Sequence, residues 1–196
     1  MRTAIARPEG PLDLLLTSQV RLLDASGRGL KELDGLACLP SLTRLNLPNN
    51  SLVDVGPLSK LTALTWLDLT YNHVADVEPL AALTNLETLI LSSNAISDIT
   101  PLAALVNLKE LGLDNLPADL VELLSASTNT FSDIQALAGL TRLEWLDLTR
   151  NQVANLEPLL GLQALAELRL AGNPLDCASA MFGPLSMQLR SFTIDC

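Results

Sequence analysis

The chain has 196 residues, 48 of them leucine, with 48% hydrophobic, 17% charged and only 3% aromatic residues. An apolar share this high with so little charge excludes a disordered chain. Mean hydropathy is +0.33, yet no apolar run reaches the roughly 18–20 residues of a membrane-spanning helix. Twelve Lys and Arg against 22 Asp and Glu give a formal net charge of -10. A basic stripe that neutralises phosphates is therefore missing, nucleic acid and anionic lipid are poor partners, and a basic or neutral protein surface fits better. The same acidity also serves to keep a leucine-laden protein soluble.

Residues 1–19 follow no repeat. Pro8, Glu9, Gly10, Pro11 and Asp13 interrupt any apolar stretch that would serve as the core of a secretory signal. The chain is therefore expected in the cytosol, or outside the cell or at its surface if it is a piece of a longer exported protein. Residues 1–19 are expected to form a partly helical N-terminal cap over the exposed first unit of a repeat array that begins at Val20.

From Val20 the sequence overlays itself at a shift of 22. The segments LTRLNLPNNSLVDVGPLSKLTA, LTWLDLTYNHVADVEPLAALTN and LETLILSSNAISDITPLAALVN begin at Leu42, Leu64 and Leu86, and LEWLDLTRNQVANLEPLLGLQA begins at Leu143. Positions 1, 4 and 6 are leucine, and positions 4 and 6 alternate with polar residues in the period of a half-buried strand. Position 9 is asparagine (Asn50, Asn72, Asn94, Asn151 and Asn173), whose side-chain amide can satisfy the backbone of neighbouring turns. Positions 11 and 14 are apolar. A Pro-Leu pair comes next at Pro57, Pro79, Pro101 and Pro158, where proline suits the first turn of a short helix. Asp54, Asp76 and Asp98 stand three residues earlier, placed to cap that turn. Each coil thus holds a short strand, a turn and a single helical turn. It cannot bury its leucines alone, and stacking the coils buries them in one continuous core. The expected fold is an α/β solenoid, curved because the turns are bulkier than the strands.

The pattern LxxLxLxxNxIxDIxPLxxLTx, as in Leu86–Asn107, closely resembles the 22-residue leucine-rich repeats of internalins and of protein-phosphatase regulatory subunits. The resemblance covers about residues 20–176. It implies a horseshoe with a concave parallel β-sheet, short 3-10 or helical turns on the convex side, and a concave face that commonly binds another macromolecule.

One coil, Leu108–Arg142, is 35 residues long. Its ends LKELGLDN and NTFSDIQALAGLTR fit the frame, so residues 116–128 are extra. Val121–Arg142 taken as a separate coil leaves too short a crossover between parallel strands, which needs about a dozen residues or more. Within the extra segment, Pro117–Leu124 is predicted to be a short amphipathic helix at the rim of the concave face. It either packs there neutrally or contacts a ligand as a lip.

Residues 177–196 leave the repeat and are expected to cap its end with Phe182, Leu185, Leu189 and Phe192. The run Asn173-Pro174-Leu175-Asp176-Cys177 resembles the start of the cysteine-flanked caps of extracellular leucine-rich repeat proteins. Only Cys177 and Cys196 could then pair; the alternative is two free thiols in a reducing compartment. With three cysteines, no CxxC and one histidine, no zinc site is expected.

In this frame positions 3, 5, 7, 8 and 10 face outward around the concave side. They place Arg44, Trp66, Asp68, Tyr71, His73, Ile90, Glu110, Trp145, Asp147, Arg150 and Arg169 on the predicted binding face. Both tryptophans, the only tyrosine and the only histidine fall there. Trp, Tyr and Arg are the residue types enriched at binding hot spots. Packing of the tryptophans across neighbouring strands competes with that reading, and His73 reads as a solvated turn residue. The aspartates before the prolines lack the spacing of a calcium loop. Asp68 and Asp147, each beside a Trp, invite a glycosidase reading. They stand three strands apart, ~14 Å at the spacing of parallel strands, whereas paired glycosidase carboxylates need about 5–9.5 Å. No nucleophile-elbow, P-loop or dinucleotide motif is present. The expectation is a monomeric, non-catalytic protein-binding module without cofactor or metal. Carbohydrate stacking on the tryptophans, or a structural spacer in a larger surface protein, are the alternatives.

Overall fold

The computed structural model describes residues 19–176 and 182–194. Most of the N-terminal cap, together with Cys177 and Cys196 and any bridge between them, lies outside the described residues. Eight three-residue strands recur along the chain: β1 (Leu22–Asp24), β2 (Arg44–Asn46), β3 (Trp66–Asp68), β4 (Thr88–Ile90), β5 (Glu110–Gly112), β6 (Trp145–Asp147), β7 (Glu167–Arg169) and β8 (Ser191–Thr193). They form one parallel sheet in chain order. Its register aligns equal positions of successive coils, so Leu45 faces Leu67, then Leu89, Leu111 and Leu146. Opposite the sheet run the 3-10 turns Leu36–Cys38, Gly56–Lys60, Glu78–Ala82, Thr100–Ala104, Gln135–Gly139 and Glu157–Leu159. Four of them carry proline in the first turn. Two α-helices complete the described elements, α1 (Ala118–Leu124) and α2 (Phe182–Gln188).

The leucine columns at positions 1, 4 and 6 lie in the interior, joined by positions 11, 14, 17 and 20 from the convex side. This core is aliphatic except for Phe131, which takes position 11 of the long coil. At the C-terminal end Leu185 of α2 is buried, with Leu189 and Phe192 packed against the core; the side chain of Phe182 is not among those described.

The asparagine column stitches the coils together. Asn94 is fully buried; its Nδ2 donates to the carbonyls of Leu69 and Leu91, and its Oδ1 accepts from the N–H of Val74. Asn72 and Asn173 repeat that pattern on their own neighbours. Each amide thus satisfies the end of its own strand and the end of the strand before. Among the described residues no buried side-chain nitrogen or oxygen lacks a partner. Before the prolines, Asp54, Asp76 and Asp98 accept the N–H two residues on, at 2.7–2.9 Å, and Asp133 and Asn155 do the same.

In the long coil Asn129 makes the ladder bonds, donating to Leu91 and Leu113 and accepting from Ile96. Asn115, on the near side of the extra segment, closes its neck: its Oδ1 accepts from the N–H of Asn129 at 2.8 Å, and its Nδ2 donates to the carbonyls of Asn129 and Arg150. The thirteen intervening residues therefore leave the ladder unbroken. The helix they contain is less packed than an amphipathic pattern predicts. No residue of α1 is buried, and Leu123 is 75% exposed.

Candidate functional site on the concave face

Three-residue strands leave two outward columns on the sheet, positions 3 and 5, flanked by the turns at either end. Trp66 is half-buried on β3, and the guanidinium of Arg44 on β2 lies 4.8 Å from its ring centroid. Trp145 is half-buried on β6, and Arg169 on β7 lies over its ring at 5.5 Å. Each arginine contributes a cation–π contact and occupies a face of the indole. A sugar ring would have to share or displace it.

The aspartates two residues on both tie down the strand end. Asp68 accepts the N–H of Thr70 at 2.8 Å and Asp147 that of Thr149 at 2.9 Å. Asp147 is only 6% exposed and its other oxygen pairs with Arg169 at 3.4 Å. Its charge is thus answered inside the chain. Ile90 leans over Gly112 on the next strand; a Cβ at 112 would meet Ile90 Cγ2 at 3.2 Å. Glu110 is exposed and its carboxylate accepts the Thr88 hydroxyl at 3.2 Å.

At position 8 the chain turns off the sheet with positive φ. Gly27 and Gly172 do so without strain, but Asn49, Tyr71, Ser93 and Arg150 adopt the same conformation, with φ 53° at Tyr71 and 58° at Arg150. Such a conformation costs a bulky residue about 1–3 kcal/mol. Both side chains are exposed. Arg150 folds its stem toward Gly172, where a Cβ would approach Arg150 Cγ to 2.9 Å. His73 is not simply solvated: its Nδ1 lies 2.7 Å from Ser127 Oγ of the extra segment. That bond draws the segment back across two coils and walls a cleft of about 530 Å³ between Tyr71, His73 and Leu124.

Positions 2 and 7 also contribute, and position 2 lies outside the columns that the strand period singles out. A concave pocket of about 460 Å³ brings Glu144 and Arg190, both at position 2, beside Trp145, Glu110 and Glu167. Position 2 precedes the first outward strand residue, so its side chain reaches the same face from the rim. At position 7, Asp114 receives a short hydrogen bond from the Ser92 hydroxyl. Burial holds its carboxyl above the usual range, and the neighbouring Asp147 adds to the effect. The signal in the sequence that could have found this contact is the pair Ser92 and Asp114 at one position of adjacent coils. Among the described residues no cluster of three or more His, Cys, Asp or Glu is placed to hold a metal ion, and no helix is long and apolar enough to cross a membrane.

Stacked coils, a leucine core, an asparagine ladder and a parallel sheet with its side chains displayed define a repeat solenoid. The sequence pattern described as Leucine Rich repeats (2 copies) matches residues 40–82, 62–104 and 84–139, and the chain belongs to the leucine-rich repeat family. Among solved structures it is similar to an internalin C2 from Listeria monocytogenes, with 30% identity over 99% of this chain and 90% of that one, at a TM-score of 0.82. An internalin, inlF, of the same organism is 29% identical over 98% of this chain, with a TM-score of 0.86. The present chain spans about half of inlF, 53% of its length. The LRR ectodomain of the plant membrane receptor kinase GASSHO1/SCHENGEN3 from Arabidopsis thaliana, solved in complex with CASPARIAN STRIP INTEGRITY FACTOR 2, is 26% identical. The match covers 95% of this chain and 25% of that one, at a TM-score of 0.65. No curated protein sequence matches the chain.

Proposed function

We propose that this chain is a non-catalytic protein-interaction module that takes its partner on the concave face. The carrying observation is where its scarce aromatic residues stand. The described core is aliphatic except for Phe131, while Trp66, Trp145 and Tyr71 are spent on the outward columns, where large amphipathic rings anchor partners. The similarity to a leucine-rich repeat ectodomain solved in complex with another factor supports the reading. Trp66, Tyr71, Ile90 and Trp145 are the proposed anchors; Arg44, Asp68, His73, Glu110, Arg150 and Arg169 set the polar and charged surround, and Asp147, buried at 6% exposure, acts from beneath by holding Arg169. Residues 20–176 form the binding array, residues 1–19 and 177–196 its end caps, and residues 116–128 an added segment at its rim. The net charge of -10 favours a basic or neutral partner surface, bound by a monomer.

The test is capture of partners on immobilised wild type and on the double variant Trp66→Ala, Trp145→Ala, with circular dichroism to show that both are folded. Loss of two anchors is expected to weaken a bound partner by at least about 2 kcal/mol, roughly thirtyfold. Equal retention by the two proteins rejects this face.

A further inference from the structure

The two tryptophans do not offer a partner the same thing. Trp145 walls a pocket of about 460 Å³ with Ile90 and Ala166. In register on either side of it stand Glu110 on β5 and Glu167 on β7, and Glu144 precedes it in the chain. Adjacent strands lie ~4.8 Å apart, so the two flanking glutamates start roughly 10 Å from one another, with room for one side chain between them. Among the described residues no ion pair ties up these glutamates. Lys109 pairs with Glu87 and Arg169 with Asp147, and these are the ion pairs among the described residues. Arg190 lines the pocket without pairing with Glu144 or Glu167. An apolar wall beneath a carboxylate rim is complementary to a long apolar stem with a cationic tip.

We infer that the Trp145 pocket receives an arginine or lysine side chain from the partner's docking segment. Its stem lies along Ile90, Ala166 and the indole, and its cation sits among Glu144, Glu167 and Glu110. This rests on the concave-face reading and specifies the chemistry it selects. Trp66 provides the contrast within the same molecule. An arginine lies over each indole, but the register neighbours of Trp66 are Arg44 and Thr88, so no carboxylate flanks it as Glu110 and Glu167 flank Trp145, and a partner's cation finds no counter-charge in register there.

The experiment tracks the two indole N–H resonances of the full chain by NMR, assigned with Trp66→Phe. The probe is the blocked pentapeptide Gly-Gly-Arg-Gly-Gly, with its lysine and citrulline counterparts; citrulline keeps the shape of arginine without its charge. Saturable movement of the Trp145 signal with arginine or lysine, and binding at least about tenfold weaker for citrulline or for the double variant Glu144→Gln, Glu167→Gln, is the expected result. Three results overturn the pocket: no movement of Trp145, equal response to citrulline, or Trp66 moving in step as under a general attraction to an acidic chain. A partner that is lost on the double Trp variant but binds Glu144→Gln, Glu167→Gln unchanged leaves the interaction face standing and removes the cation pocket. A partner indifferent to both variants removes the face itself.

Discussion

Residues 66–70 and 145–149 spell the same pentapeptide, WLDLT, and the fold places both on the sheet in the same way. The leucines go inward, the tryptophan and aspartate go outward, and the aspartate holds the N–H of the threonine two residues on. Their surroundings are different. Trp66 takes its arginine from the preceding strand, and Asp68 stays half-exposed beside Asn46 and Ile90. Trp145 takes its arginine from the following strand, and that arginine also reaches a buried Asp147. The difference originates in the neighbouring strands, which supply Glu110, Gly112, Glu167 and Arg169 in one place and Arg44, Asn46, Thr88 and Ile90 in the other. In a solenoid the local sequence sets a residue's direction, and the coils on each side set its chemistry.

The largest effects should show the two segments as equals. Leu67→Ala and Leu146→Ala each open a cavity in the same fully buried column, and each is expected to cost about 2–5 kcal/mol in urea unfolding. If one of the pair is tolerated without loss, the scaffolds under the tryptophans are not equivalent. Next, the arginines should separate them. Arg169→Ala strips a buried carboxylate of its ion-pair partner and is expected to cost about 1.5–3 kcal/mol. Arg44→Ala removes an exposed cation–π contact worth about 0.5–1 kcal/mol. Equal losses would mean that Asp147 does not depend on Arg169.

The smallest effect is one of pH. Asp114, close enough to Asp147 to feel its charge, has its carboxyl raised by burial; the matching position in the coil before Trp66 is Pro48, which carries no charge. Between its unfolded and folded pKa the folded chain binds more proton than the unfolded one, so stability contributed by this group falls as pH rises through that interval. Asp114→Asn keeps an acceptor for the Ser92 hydroxyl and is therefore expected to raise Tm slightly at neutral pH, with the gain vanishing on acidification below the carboxylate range. Thermal melts of the two proteins across pH 3–7.5 measure this, and a gain that grows toward acid contradicts it.

The scaffold was legible in the sequence because each leucine and asparagine repeats its task every 22 residues. The column that buries Asn94 is visible from Asn50 to Asn173, and the aspartates before Pro57, Pro79 and Pro101 cap their turns as the spacing predicts. The candidate face was legible only in part. Outward columns come from the strand period, so Trp66, Trp145 and their arginines were identified. The Arg169–Asp147 pair, the reach of Glu144 from position 2 and the bond between His73 and Ser127 depend on side-chain conformations across coils or on the path of an irregular segment. No periodicity encodes them.

The neck formed by Asn115 has a bearing on how such a chain can change. The extra residues enter between positions 8 and 9, after the strand has ended and before the ladder amide takes up its place, and Asn115 joins the two flanks with its own side chain. Residues before and after the joint keep the bonds they make to adjoining coils. Length is thus separated from register at this point: a lineage can lengthen, shorten or replace the loop while the rest of the horseshoe keeps its spacing. The joint at Asn115 is thus a place where the rim can be rewritten without disturbing the stacked coils.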